Sequence, residues 1–181
     1  MRESMRVLLC AMTMLTIGAA LAEEPAGPPK PGPEHEKLGY WVGKWSGKGE
    51  SKPSPFGPGG PMTWTESCEW FPGGFALVCH SDMKGPMGDV KGLGILGYNA
   101  EEKVYTYYGV DSMGFGDYAK GTVQGDIWTY TSEGKMGGKT VKSRFVLNRV
   151  SPATQKFTGE MSEDGGSTWK TMMTGESSKA K

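Results

Sequence analysis

Apolar and polar residues alternate through most of the chain beyond Gly43. Between positions 139 and 149, Val141, Phe145 and Leu147 fall on one side and Lys142, Arg144 and Asn148 on the other. Between 155 and 162, Phe157 and Met161 oppose Lys156, Thr158 and Glu160. A period of two predicts strands with one buried and one wet face. Ten strands are predicted in this way, near 43–50, 62–71, 75–83, 90–98, 103–111, 115–123, 126–132, 139–149, 155–162 and 167–174. Short turn-forming clusters separate them, among them Gly73-Gly74, Gln124-Gly125, Gly137-Gly138 and Asp164-Gly165-Gly166. Such spacing predicts that each strand pairs antiparallel with the next. About ten strands leave two raw edges unless the sheet closes on itself. The expected fold is therefore all-β, an up-and-down antiparallel barrel. A β-sandwich is the alternative.

Only Glu34 to Val42 reads as a helix. Pro33 suits its first position, Glu34 and Glu36 suit its positive end, and Leu38, Trp41 and Val42 share one face. His35 is expected at the surface. Ser51 to Pro61 is too rich in Pro and Gly for a strand and reads as a long rim loop.

The first 22 residues have a different pattern. Arg2 and Arg6 precede an uncharged, mostly apolar run from Val7 to Ala20, and Ala20-Leu21-Ala22 forms an A-x-A cleavage pattern. The run is short for a membrane span and its flanks suit a secretory signal. The expected organisation is a signal peptide over 1–22 and a Pro-rich linker without core contacts over 23–33. One barrel domain follows over 34–175, then a disordered tail over 176–181. The expected location is periplasmic or secreted after cleavage near Ala22, with membrane contact only through the transient signal.

Composition narrows the function classes. The chain has 29 Gly and 12 Pro, close to a disordered composition, but also 6 Trp, 7 Tyr and 6 Phe, which disordered chains usually lack. Twenty basic and twenty acidic residues cancel, so no charge field argues for nucleic acid. Motifs of hydrolytic chemistry such as G-x-S-x-G and H-E-x-x-H do not occur.

Several of these residues resemble a known family. Gly43-Lys44-Trp45 after a short helix is similar to the Gly-x-Trp opening of lipocalin-like barrels. Gly73-Gly74-Phe75, the run Gly92-Leu93-Gly94-Ile95-Leu96-Gly97-Tyr98-Asn99, and Tyr105 through Asp111-Ser112-Met113-Gly114 resemble a bacterial exported family known only as domain of unknown function 1579. Asn99 replaces the family's usual Asp, and the long Pro/Gly loop and the cysteine pair also depart from its pattern. The resemblance spans roughly Leu38 to Lys170. It implies a calycin-like barrel and an exported location, and it implies no reaction.

The remaining motifs have modest readings. Gly92 to Gly97 spells G-x-G-x-x-G, yet a turn into another strand follows where a dinucleotide site needs a helix. Its glycines are read as relieving crowding in a bent barrel wall. Ser162 to Trp169 resembles the Asp-box S-x-D-x-G-x-T-W of sialidase-like propellers. One copy makes no propeller, so Asp164 and Trp169 are assigned a structural role in a hairpin, as is Trp45 on the first strand.

Cys68 and Cys79 flank one hairpin, and an exported chain favours their pairing as a disulfide. A two-residue Gly73-Gly74 turn places them opposite each other but puts Pro72 in a closing pair, where its missing N–H costs a bond. A three-residue Pro72-Gly73-Gly74 loop suits Pro72 but turns Cys79 to the other face and sets Glu66 opposite His80. The letters leave both registers open. No metal site is expected, because alternation separates Cys79 from His80. No cofactor is expected either: a haem role as in nitrobindin-like barrels needs a histidine on a late strand, and none follows His80. Asp111 and Asp117 flank a turn as potential paired carboxylates, and read better as solvated turn residues.

Closing about ten strands leaves an interior wider than a minimal barrel. The expected function is a non-enzymatic exported barrel that holds a small apolar or amphipathic ligand inside. Trp64, Trp70, Glu66, His80, Tyr105, Tyr107 and Phe145 are the candidate ligand-contacting residues. The alternatives are an envelope interaction scaffold that uses the Ser51–Pro61 loop and the Met83–Met87 turn, and an enzyme that uses Glu66 with His80.

Overall fold

The computed structural model describes residues 28–54 and 57–180. The predicted signal peptide and the first part of the linker, residues 23–27, lie outside the described residues. A single-turn helix α1 (Pro33–Lys37) runs into a 3-10 turn at Leu38–Trp41. Ten strands follow: β1 (Gly43–Ser51), β2 (Gly60–Trp70), β3 (Ala76–Gly85), β4 (Gly88–Asn99), β5 (Val104–Asp111), β6 (Gly116–Gln124), β7 (Ile127–Met136), β8 (Lys139–Ser151), β9 (Thr154–Ser162) and β10 (Lys170–Lys179). Each pairs antiparallel with the next, and β1 closes onto β10 from Trp45↔Lys179 to Ser51↔Met173. The sheet is a closed up-and-down barrel, as the alternation predicts. Closure removes both raw edges.

Two expectations about the ends are corrected. The C-terminal segment is not a free tail, since β10 pairs with β1 and β9 up to Lys179 and Ser178. Ser177 is buried there and accepts a hydrogen bond from Gln155 Nε2 at 3.1 Å. The cause is closure itself: β1 starts at Gly43 and needs a partner along its whole length. His35 is also not at the surface. It is 8% exposed, its ring edges meet Phe75 and Tyr98, and its Nδ1 accepts the Gly32 N–H at 3.1 Å. The linker's last residues, Pro31 and Gly32, are half-buried against this end.

The helical segment stoppers one end of the barrel. Leu38 and Trp41 are buried with Leu77, Leu96, Tyr105, Trp128 and Leu147. Trp41 meets Trp128 edge-on at 4.4 Å, and its Nε1–H donates to Gln155 Oε1 at 3.0 Å. Trp45 Nε1–H donates to the Trp41 carbonyl at 2.9 Å, which ties β1 to the stopper. The indole nitrogens of Trp41 and Trp45 thus find partners, whereas the buried Trp128 Nε1–H meets none among the described residues. Tyr105 donates its hydroxyl proton to Glu34 of α1.

The β2–β3 connection settles the register. Gly74 N–H donates to Phe71 O at 3.0 Å and Phe71 N–H to Ala76 O at 2.9 Å. Pro72 therefore sits second in a turn outside the ladder, and Gly73 follows at φ +99°. That is the Pro-Gly order of a type II turn. The loop has four residues, Pro72–Phe75, in the register of the two-residue alternative. Pro72 forfeits no ladder bond, and Cys68 still stands opposite Cys79. Their sulfurs form a disulfide.

The other end is open. The β1–β2 loop crosses the rim, where Lys52 N–H donates to Met172 O at 2.7 Å. The β9–β10 hairpin stands beside it. Asp164 organises this hairpin: its Oδ1 accepts from Ser162 Oγ at 2.7 Å and Thr168 N at 2.9 Å, and its Oδ2 from Thr168 Oγ1 at 2.6 Å. These bonds hold the Asp164 carboxyl well below the ordinary aspartate range. Trp169 packs over the turn through Nε1–H to Gly166 O at 3.0 Å, and Arg144 lies over its ring at 4.2 Å.

Candidate functional site

Alternation assigns each strand one inward face. On β2 these positions are Met62, Trp64, Glu66 and Cys68; on β3, Leu77, Cys79, Ser81 and Met83; on β5, Tyr105, Tyr107 and Gly109. On β7 they include Trp128 and Tyr130; on β8, Val141, Phe145 and Leu147; on β9, Phe157, Gly159 and Met161. Below this set lies the stopper and above it the open rim.

Large rings lie across glycines of their own and nearby strands in the upper half. A methyl group added at Gly47 or Gly175 would strike Trp64, at Gly94 or Gly109 Tyr107, and at Gly121 Tyr130. The glycines let the rings lie along the wall instead of filling the axis. Trp64 meets Phe157 at 5.3 Å, Phe157 stacks on Phe145 at 4.9 Å, and Tyr107 faces Tyr130 at 6.5 Å. Trp64, Glu66, Ser81, Met83, Tyr107, Phe145 and Met173 face inward yet stay only half-buried. An inward side chain of a closed barrel reaches solvent-sized space only through the lumen, so the upper half encloses such space. At the rim a cavity of about 670 Å³ adjoins it, with Met136, Val141, Met161 and Met172 among its lining residues. A separate open depression of about 510 Å³ lies outside the barrel at the stoppered end, between α1, Tyr40 and Arg149.

Glu66 is the polar centre of the lumen. It stands in register with Trp45 on one side and Ser81 on the other. Its carboxylate lies within 4.8 Å of both Cys68 and Cys79 sulfurs. Those sulfurs are bonded to each other, so they offer no thiolate to a metal. Glu66 forms no hydrogen bond or ion pair with the described residues, and burial alone pushes its carboxyl above the ordinary glutamate range. Tyr107 is raised as well, first by burial and then by the charges of Glu66, Asp117 and Asp111. Tyr130 is 6% exposed, and its hydroxyl meets no partner among the described residues.

Among the described residues no basic side chain pairs with Glu66, although Lys52, Lys139 and Lys170 line the rim cavity. Lys142 and Arg144 are half-buried on the outer face, beside Glu133 and Glu160. Arg149 and Lys179 are half-buried at the stoppered end, near the Tyr40 ring. Every other described Lys is exposed.

The sequence candidates divide accordingly. Trp64, Glu66, Tyr107 and Phe145 meet in the lumen. Tyr105 belongs to the stopper through Glu34, and Trp70 lies at the same end against Gly39. His80 is exposed on the outer wall, opposite Ser67, while Glu66 faces in opposite Ser81. The expected juxtaposition of Glu66 with His80 therefore does not form: it belongs to the three-residue loop register, which Pro72 does not adopt. Asp111 accepts the Met113 and Phe115 N–H groups at 2.8 and 3.0 Å, and Asp117 accepts Ser132 Oγ at 3.2 Å, so they serve separate turn and wall contacts. Gly92 and Gly94 sit within β4 facing Ser81 and Tyr107, with no helix after them. Of the Met83–Met87 turn, Met83 faces the lumen and Met87 packs over Gly57 of the rim loop.

Sequence reasoning missed Tyr130, Phe157 and Met173 as lumen residues. Phe157 alternates visibly with polar neighbours, and Tyr130 follows Trp128 at the same parity, so the signal for a shared face was present. What that face surrounds follows only from closure.

Comparison with solved structures places this barrel among known folds. It is similar to the S-type phycobiliprotein lyase CPES from Guillardia theta, with TM-score 0.54 and 11% identity over 82% of this chain and 93% of that chain. It also matches EF1p2_mFAP2b bound to DFHBI, with TM-score 0.42 and 10% identity over 81% of this chain and 98% of that one. At such identities the likeness concerns the fold alone. No curated protein matches the sequence. Residues 30–179 match the family described as protein of unknown function (DUF1579), and the chain belongs to that family.

Proposed function

We propose that this protein is an exported, non-enzymatic carrier that holds a small amphipathic ligand in the upper half of its barrel. The observation that carries the reading is a half-buried ring belt around Glu66, open toward the rim and stoppered below. Such a mostly apolar concavity with few polar groups suits a small ligand. Export is supported by the basic start, apolar run and A-x-A pattern of residues 1–22, and by the disulfide, which persists in oxidising compartments. The reading is supported by the fold shared with a phycobiliprotein lyase.

Native mass spectrometry of protein purified from its own host tests the reading. A mass above the apoprotein that vanishes on solvent extraction is expected. Protein that retains no extractable small molecule, and whose Trp64 fluorescence no amphiphile alters, would overturn it. N-terminal sequencing of the exported protein is expected to start at Glu23.

A scaffold role is the second reading. It is favoured by the outer wall of β4 to β6, where Ile95, Tyr108, Val110 and Tyr118 are exposed and Tyr108 stacks on Tyr118 at 4.6 Å.

A further inference from the structure

We propose that the lumen selects an amphipathic organic cation, a protonated amine on an apolar body, with the ammonium group at Glu66 and the body against the ring belt. This rests on the ligand-holding reading above and specifies the charge of what is held.

Three observations converge. Glu66 is an inward carboxylate with no hydrogen bond or ion pair to the described residues. A partly desolvated carboxylate without a counter-charge carries a cost, and proteins keep such groups mainly where something else supplies the charge. Among the described residues no basic side chain pairs with it: the half-buried basic groups stand on the outer wall or at the stoppered end, and Lys52, Lys139 and Lys170 line the rim cavity without reaching it. The second observation is the company Glu66 keeps. Trp64, Phe145 and Phe157 form one ring cluster and Tyr107 and Tyr130 a second on the same inward face, and a cation is attracted to a ring face. The third is Tyr130, whose buried hydroxyl has no partner among the described residues and offers a hydrogen bond to a polar atom of the ligand. Beside Tyr107 an anionic group would meet like charge, since Glu66, Asp117 and Asp111 all place negative charge near that ring.

Acidification follows from the same arrangement. Glu66 takes up a proton at a higher pH than an ordinary glutamate, so the cation site weakens as pH falls through that range. Tyr107 and Tyr130 are the other titratable side chains in this space, and the Asp111 and Asp117 carboxylates act on Tyr107 from the rim.

The test uses three probes of equal chain length, octylammonium, octanol and octanoate, titrated calorimetrically into the purified protein at pH 7. Octylammonium is expected to bind at least about tenfold more tightly than octanol, with octanoate weakest. Glu66→Gln keeps the shape and removes the charge. It is expected to bring octylammonium down to the affinity of octanol while octanol itself is unchanged. Glu66→Asp is expected to restore part of the preference. Equal binding of the three probes, or octylammonium binding untouched by Glu66→Gln, overturns the cation assignment and leaves the ligand-holding barrel standing. Binding of none of the three, together with an empty protein in native mass spectrometry, overturns both.

Discussion

At the scale of single residues, Glu66 and Asp164 are carboxylates with opposite environments and opposite pH behaviour. Glu66 is desolvated without a partner, so its folded carboxyl holds a proton more readily than in the unfolded chain. Stability tied to that proton is complete below the unfolded value of about 4.3 and is lost as pH rises through the folded one. Glu66→Gln removes the charge and is expected to unfold at higher urea than the parent at pH 7, with the difference vanishing near pH 4. Equal midpoints at both pH values would contradict an uncompensated carboxylate. Asp164 behaves in the reverse sense. Its bonds to Ser162 and Thr168 depress its pKa, so its contribution is present above the unfolded value of about 3.9 and is lost as pH falls below it. Asp164→Ala is expected to speed hydrogen exchange at the Thr168 amide at pH 7, while strands far from this hairpin keep their protection. His35 shows how a residue is misread at this scale. It stands three positions before Leu38 and so shares the buried face, but its charge type drew it to the surface in the sequence reading.

Elements were the most legible level. Alternation located all ten strands, because a half-buried strand imposes period two whatever it pairs with. Pairing register was not legible where glycine and proline made two loops acceptable. Pro72 and the cysteines gave conflicting demands, and the four-residue turn satisfies both by moving Pro72 out of the ladder while keeping Cys68 opposite Cys79. The β2–β3 hairpin thus carries a covalent staple across a separation of 11 residues. The chain-entropy estimate for a loop of that size is about 3 kcal/mol. Replacing both cysteines with serine is expected to lower unfolding stability by about that amount, measured by urea denaturation. A parent protein whose midpoint is unchanged by reductant would contradict this.

At the scale of the whole molecule, closure determines what the strands enclose. Period two shows that Tyr107, Tyr130, Phe145 and Phe157 each have a buried face, and it cannot show that these faces look at one another. The glycine partners carry that information. Gly121 beneath Tyr130 and Gly175 beneath Phe157 and Trp64 make sense only once the registers are known, since the first two pairs join neighbouring strands and Trp64 reaches Gly175 across β1. The same closure gives the last ten residues a role that their polar composition hid. Glu176 to Lys179 pair with Lys48 to Trp45, and Ser177 ends the hydrogen-bond chain that starts at Trp41 and passes through Gln155. A chain ending at Thr174 would leave the stoppered half of β1 unpaired and the Gln155 amide without its acceptor. It is expected to melt about 10 °C or more below the parent, given that 1 kcal/mol shifts a domain of this size by roughly 2–4 °C. A chain ending at Lys179 keeps the ladder and is expected to melt within about 4 °C of the parent, since among the described residues it loses only the Ala180 N–H bond to Lys44 O. Circular dichroism melts of the two truncations decide the matter. If both melt alike, β10 does not hold the barrel shut, and the enclosed lumen on which ligand binding depends loses its wall.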